Sequence, residues 1–123
     1  RHIVAHLRDA GFRVRALVRE SSDLSPIRSS IDEFVVGDLG DPHSLEGCCD
    51  GVDAVIHSAC AVAGTFDSGR AAESEFMRVN RDGTVNLATE VLRHRVVPTY
   101  EAEAEGLAAD ELVARVLEAV PAP

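Results

Sequence analysis

An α/β fold with a doubly wound parallel sheet is predicted by three features of this 123-residue sequence. Short apolar runs alternate with stretches of helical periodicity along the chain, the signature of βαβ units with right-handed crossovers. The apolar runs are nearly continuous, as in parallel strands buried on both faces. Glycine, proline and aspartate punctuate the junctions between them.

From the N-terminus, Ile3, Val4 and Leu7 recur at helical spacing ahead of Gly11, which predicts a helix over residues 1–10 stopped by that glycine. Residues 13–18 read as a strand, and the polar stretch through Ser30 as a loop with at most one short turn. Residues 33–37 form a second strand. Asp41-Pro42 then supplies an N-cap with proline at the first helical position, predicting a helix to about Cys49, closed by Asp50-Gly51. Val52 to His57 is a third strand. A small-residue loop leads to a long helix from about Ala71 to His94, with Phe76, Val79, Val85, Leu87, Ala88, Val91 and Leu92 apolar. The Val, Leu and Ile residues of the strands are expected in the core.

Composition narrows the function. The hydrophobic fraction is 46% and the mean hydropathy +0.01, ordinary for a soluble α/β protein, and no apolar run reaches the roughly 18 residues of a membrane helix. The first residue is Arg, and no export signal follows it, so the sequence reads as a cut end and a cytoplasmic location is expected. All twelve basic residues are Arg and the net charge is −9, which disfavours nucleic-acid binding. Cys48, Cys49 and Cys60 have neither disulfide-framework nor zinc-site spacing, and are expected to be reduced, mostly buried thiols.

Four blocks carry a specific resemblance: residues 1–19, Val36 to Leu39, Gly51 to Ala59, and Val79 to Asn86. Over about residues 1–95 their order and spacing are similar to the extended short-chain dehydrogenase/reductase family. The nearest branches are the dihydroflavonol reductases, the 3β-hydroxysteroid dehydrogenases and the NAD-dependent epimerase/dehydratases. The resemblance implies a partial Rossmann-like domain over residues 1–97 whose first strand and glycine-rich phosphate loop are missing, since the sequence begins just after the loop's last glycine would stand. Gly11 is a helix stop and not part of such a loop.

The family's cofactor contacts map onto Arg19, Asp38, Leu39, Ser58, Ala59 and Asn80. Arg19 stands where NAD users often place an acid for the ribose hydroxyls. An arginine there pairs with a 2′-phosphate, so the resemblance leans toward NADP over NAD, with a solvated surface arginine as the alternative. Asp38 and Leu39 match the pair that flanks adenine, and Asp38 also suits a helix-entry turn. Ser58 and Ala59 let the cofactor ribose approach the backbone. Asn80 aligns with the asparagine that steadies the active-site backbone and its water. Asn86 reads as a packing or capping side chain, and His57 as a buried structural histidine.

The catalytic machinery is not in these residues. The family's proton transfer uses a Tyr-x-x-x-Lys pair and a Ser/Thr. This sequence has no lysine, and its single tyrosine, Tyr100, is followed four residues later by Ala104. The resemblance therefore implies the cofactor-binding portion of an NAD(P)-dependent oxidoreductase or epimerase/dehydratase, inactive alone. Without the phosphate loop, cofactor binding is expected of the parent fold more than of these residues alone. The alternative is a non-catalytic protein-interaction module or the remnant of a decayed gene.

Residues 1–100 carry eleven Arg against fifteen acids, and 101–123 one Arg against six, so the composition shifts near Tyr100. Val96-Val97 could begin another strand. Residues 98–123 are read as an acidic linker, Glu101 to Gly106, and an amphipathic helix over 108–120. Leu112, Val113, Val116, Leu117 and Val120 share its apolar face, and it ends before Pro121. In the doubly wound order the missing first strand is central, which leaves its neighbours with unpaired inner edges. The escapes are direct pairing of strand 13–18 with strand 52–57, self-association through those edges, or marginal stability, and a tendency to dimerise or aggregate is expected.

Overall fold

The computed structural model describes residues 2–62, 70–93 and 95–120. The chain divides into two compact units, Arg1–Asp38 and Leu39–Pro123. The fold is α/β with a small parallel sheet, as the alternating pattern predicts.

In the first unit, helix α1 spans His2–Asp9. Gly11 ends it at φ 83°. The Gly11 N–H bonds the Arg8 carbonyl at 2.9 Å and the Phe12 N–H bonds the Leu7 carbonyl at 3.0 Å, the paired bonds of a Schellman stop. Strands β1 (Arg15–Val18) and β2 (Glu33–Val36) then pair in parallel, in register from Arg15 opposite Glu33 to Val18 opposite Val36. Arg15 Nε and Glu33 Oε2 meet at 2.9 Å and lock that register. The crossover between the strands is a run of turns with one 3₁₀ turn at Arg28–Ser30, in keeping with its polar sequence.

Asp32 closes the base of this unit. Its carboxylate accepts the Val14 N–H at 2.7 Å and the Arg8 guanidinium at 2.6 Å, tying α1, the entry to β1 and the end of the crossover together. The Val14 N–H first, and Arg8 beside it, hold the Asp32 carboxyl below the usual carboxylate range.

In the second unit, Asp41 accepts the His43 N–H at 3.2 Å and Pro42 sits at the first helical position, so the predicted start signal works. The helix it opens is shorter than the sequence predicts. A 3₁₀ turn, Pro42–Leu45, gives way to turns through Gly51 in place of a helix to Cys49. Gly47 and Gly51 have φ of 73° and 67°, in the left-handed region where a right-handed helix cannot continue. The turn still delivers its anchor, because Leu45 is buried at 1% exposure.

The third predicted strand does not form. Residues 52–57 have no ladder partner among the described residues, and Val55 and Ile56 are exposed rather than core. A ladder needs a neighbour to satisfy its backbone, and the described sheet contains only β1 and β2. Val36, at the end of β2, is also exposed.

The long predicted helix is present with a defect inside it. Helix α2 (Arg70–Met77) passes through a π turn at Arg78–Asp82 into α3 (Gly83–Arg93). Its buried face in α3 is Gly83, Leu87 and Glu90. Phe76 and Val85, two of the apolar positions of the helical pattern, are exposed. His94, Pro121 and the 63–69 part of the small-residue loop lie outside the described residues.

The acidic run folds into a short helix, α4 (Tyr100–Ala104), whose Thr99 side chain caps the Ala102 N–H at 3.3 Å. Gly106, at φ 78°, stops it. Residues 96–97 form no strand, and Val97 is exposed. Helix α5 (Ala109–Ala119) matches the predicted amphipathic helix. Its Val113 is fully buried, in a helix that packs on α3, while Val116 and Val120 stay exposed. Arg93 Nε on α3 lies 3.4 Å from both Glu90 and Asp110 of α5.

Candidate cofactor-binding site

In the first unit the two strands run side by side, so residues just beyond them leave the same edge of the sheet. The Gly37 N–H extends the ladder to the Val18 carbonyl at 2.9 Å. Arg19 and Asp38 emerge next, at the C-terminal ends of β1 and β2. Arg19 is exposed and opens a tight turn in which its N–H meets the Ser22 hydroxyl at 3.1 Å. Asp38 is half-buried.

In the second unit one helix supplies most of the organisation. Leu39 is held twice by α3. Asn86 Nδ2 donates to the Leu39 carbonyl at 2.7 Å, and Gly83 leaves so little room that a Cβ there would stand 2.8 Å from Leu39 Cβ. Asn86 is thus more than a packing residue, since it fixes the backbone of a predicted adenine neighbour.

Asn80 lies in the π turn, where the Gly83 N–H reaches back to the Arg78 carbonyl and widens the helix. Its amide pairs with a single residue, Ala61: Oδ1 accepts the Ala61 N–H at 2.7 Å and Nδ2 donates to the Ala61 carbonyl at 2.8 Å. The side chain thereby does for Ala61 what a neighbouring strand would, in a segment with no ladder among the described residues. Ser58 and Ala59, both exposed, lie within that segment.

His57 is exposed, not buried as the sequence suggests. Its Nε2 lies 3.0 Å from Thr84 Oγ1, whose hydroxyl donates to the Asn80 carbonyl at 2.6 Å. A hydroxyl has one proton to give, so Thr84 accepts here and His57 carries its proton on Nε2. This chain links the 52–62 segment to the same π turn that places Asn80.

Sequence reasoning missed Glu90. It is 2% exposed, and its Oε1 accepts the Gly47 N–H at 2.7 Å. The signal was available: counting along the helix, Gly83, Leu87 and Glu90 recur at spacings of four and three, placing a carboxylate on the inward stripe. Of the three cysteines, Cys48 is buried, Cys49 half-buried and Cys60 exposed, so the expectation of mostly buried thiols fails at Cys60. Among the described residues no group of three or more His, Cys, Asp or Glu side chains could hold a metal ion. No described helix is long and apolar enough to cross a membrane.

Residues 1–114 match the family described as NAD(P)H-binding. The chain belongs to the NAD(P)H-binding family. The match continues past residue 95, where the sequence resemblance stops, through α4 and into α5. Its ligand class is accordingly a nicotinamide dinucleotide.

Two curated relatives match part of this chain. Ceramide reductase of Caulobacter vibrioides (strain NA1000 / CB15N) is 39% identical over 84 residues, 68% of this chain and 24% of the relative. An uncharacterized protein, y4nL, of Sinorhizobium fredii (strain NBRC 101917 / NGR234) is 32% identical over 83 residues, 68% of this chain and 22% of that protein. The matched part thus spans about a quarter of each relative's length. No solved structure gives a significant match.

Proposed function

We propose that these residues form the cofactor-binding part of an NAD(P)-dependent reductase of the extended short-chain dehydrogenase/reductase class. In this reading Arg19, Asp38, Leu39, Ser58, Ala59 and Asn80 serve the dinucleotide. The observation that carries it is the placement of Arg19 and Asp38 on one sheet edge, beyond the C-terminal ends of neighbouring parallel strands. Open α/β sheets bind nucleotides there. Asp38 accepts from the adenine amino group, Leu39 covers the ring, and Ser58 and Ala59 line the ribose. Asn80 acts one step removed, by holding the Ala61 backbone. Among reduction, epimerisation and dehydration, reduction is favoured by the relative named as a reductase.

Arg19 favours NADP over NAD, because an exposed guanidinium forms charge-assisted, two-pronged bonds to a 2′-phosphate. These residues bind and orient the cofactor and do not turn it over, since no lysine accompanies the lone Tyr100. Titration of the purified chain with NADPH and NADH, following cofactor fluorescence together with melting temperature, tests the reading, because a ligand bound by the native state stabilises it. NADPH is expected to bind the more tightly. Arg19→Ala should narrow the gap between the two cofactors by roughly 10- to 100-fold, the worth of one hydrogen bond to a charged group. An unchanged ratio would remove the 2′-phosphate role, and absence of binding by both cofactors would mean that these residues do not form a cofactor site by themselves.

A second reading is favoured by the exposed Val55, Ile56 and Val62 in a segment without a ladder partner among the described residues. Self-association would cover that apolar run. Sedimentation equilibrium over a range of concentrations distinguishes a concentration-dependent dimer from a monomer.

A further inference from the structure

Cys48 and Cys49 are neighbours in sequence, and the turn that carries them brings their Sγ atoms to 3.6 Å. Cys48 is buried, while Cys49 is half-buried and is among the residues that line a surface cavity of about 180 Å³, with Glu90 and Arg95. Cys49 is thus the more accessible of the pair, and the buried Cys48 sulfur lies next to it. The turn is also built to flex between fixed ends. The left-handed glycines Gly47 and Gly51 bracket it. The Gly47 N–H is held by Glu90 at 2.7 Å, and the Val52 carbonyl accepts from Arg95 Nη2 at 3.0 Å.

We propose that Cys48 and Cys49 form a redox-active vicinal dithiol, a modification site that closes to an internal disulfide by exchange with a low-molecular-weight disulfide such as glutathione disulfide. In the first step the Cys49 thiolate attacks one sulfur of the incoming disulfide. The bond between its two sulfurs breaks, and one small thiolate leaves. The Cys48 thiolate then attacks Cys49 Sγ in the mixed disulfide and expels the second small thiolate. Both cysteines are oxidised by one electron each and one small disulfide is reduced to two thiols, which take up the two protons that the cysteines release.

The geometry predicts reversibility. Adjacent Cα atoms across a trans peptide stand about 3.8 Å apart, closer than the roughly 4.4–6.8 Å usual for a disulfide, so the small ring is strained and readily reduced. Closure must also draw the sulfurs from 3.6 Å to about 2.05 Å. That movement pulls on Gly47 and weakens its bond to Glu90, so the redox state of the pair is transmitted to α3.

The test uses the full chain with Cys60→Ser, incubated with glutathione disulfide, quenched by alkylation and weighed by mass spectrometry. Both thiols should be lost together in a monomer that carries no glutathione, and dithiothreitol should restore them. Adding Cys48→Ser should stop the reaction at a stable glutathione adduct on Cys49. Peptide mapping of the unsubstituted chain should find the same Cys48–Cys49 bond, which guards against a variant that folds poorly. In the oxidised form, Gly47 amide exchange should quicken. Persistent glutathione adducts on the two-cysteine protein, disulfide-linked dimers, or thiols that stay fully alkylatable would each overturn the proposal.

Discussion

Replacing Asn80 separates two ways in which a side chain can hold a loop. Its amide satisfies both backbone groups of Ala61, at 2.7 and 2.8 Å, and Ala61 is buried. Asn80→Ala would leave the Ala61 N–H unpaired and its carbonyl with only the weak Cys60 thiol donor at 3.6 Å, at about 1–3 kcal/mol for each group if dry. Cys60 and Val62 on either side are exposed, so water can reach the vacated groups and the low end applies, about 2–3 kcal/mol together. At about 1.4 kcal/mol per decade, Ala61 amide exchange should quicken by roughly 30- to 100-fold. Asn80→Asp behaves differently. It keeps an oxygen for the Ala61 N–H, now a charged acceptor, but sets its second oxygen against the Ala61 carbonyl. Global stability should fall in both variants, while Ala61 amide protection falls substantially more in Asn80→Ala. Residue-resolved hydrogen exchange by NMR reads both quantities. Unchanged Ala61 exchange in Asn80→Ala, or equal loss of protection in the two variants, would refute the tether.

Three further perturbations probe neighbouring contacts. Glu90→Gln keeps an oxygen for the Gly47 N–H and loses the charge facing Arg93, so urea unfolding should show a loss of about 1–2 kcal/mol, against about 2–4 kcal/mol for Glu90→Ala, which unpairs the Gly47 N–H and leaves Arg93 with Asp110 alone. Gly83→Ala gains about 1 kcal/mol of helix propensity but drives a methyl into Leu39, an overpacking cost of about 1–3 kcal/mol; a lower melting temperature is expected, and a higher one would show that Leu39 yields easily. Asp32 has its carboxyl pKa lowered in the folded state, chiefly by the Val14 N–H. Its contribution is therefore present above the unfolded value of about 3.9 and lost as pH falls through the folded pKa. Acid titration should show Asp32→Asn losing stability less steeply than the parent below about pH 4, and parallel curves would contradict the bond.

What was legible in the sequence was whatever depends on local signals. Gly11 stops α1, Asp41-Pro42 starts a turn, and the periodicity of 108–120 finds α5, because capping and amphipathicity are written within a few residues. The two strands after α1 were equally plain. The third strand was not, because Val52 to His57 has the composition of a strand while a strand also requires a neighbour with free backbone groups. The helix expected through Cys49 failed at Gly47, whose left-handed φ and N–H bond to Glu90, forty-three residues away, no local window contains. Of the candidate site residues, Arg19 and Asp38 were named by resemblance, and both fall just beyond strands that local composition identifies. Asn80 was found by resemblance, but its partner Ala61 was not, because a π turn shifts the face of the helix that ordinary spacing assigns.

The polar residues of the long helix explain how the second unit can hold irregular backbone in place without a sheet. Asn80 binds residue 61, Asn86 binds residue 39 and Glu90 binds residue 47, each through a bond of 2.7 Å to a main-chain group. In a larger parallel sheet, ladder bonds fix the strand ends that face the cofactor. Here side chains from one helix perform that task for three separate segments. Each tether makes the loop it holds depend on the helix, so a change at Gly83 or Leu87 that tilts α3 should loosen residues 39, 47 and 61 together. Independent loops would respond one at a time, and hydrogen exchange across a single Leu87→Ala variant distinguishes the two. Coordinated loss of protection at all three positions is the expected pattern, since Leu87 and Glu90 share the buried face of α3 and the π turn that carries Asn80 runs directly into that helix.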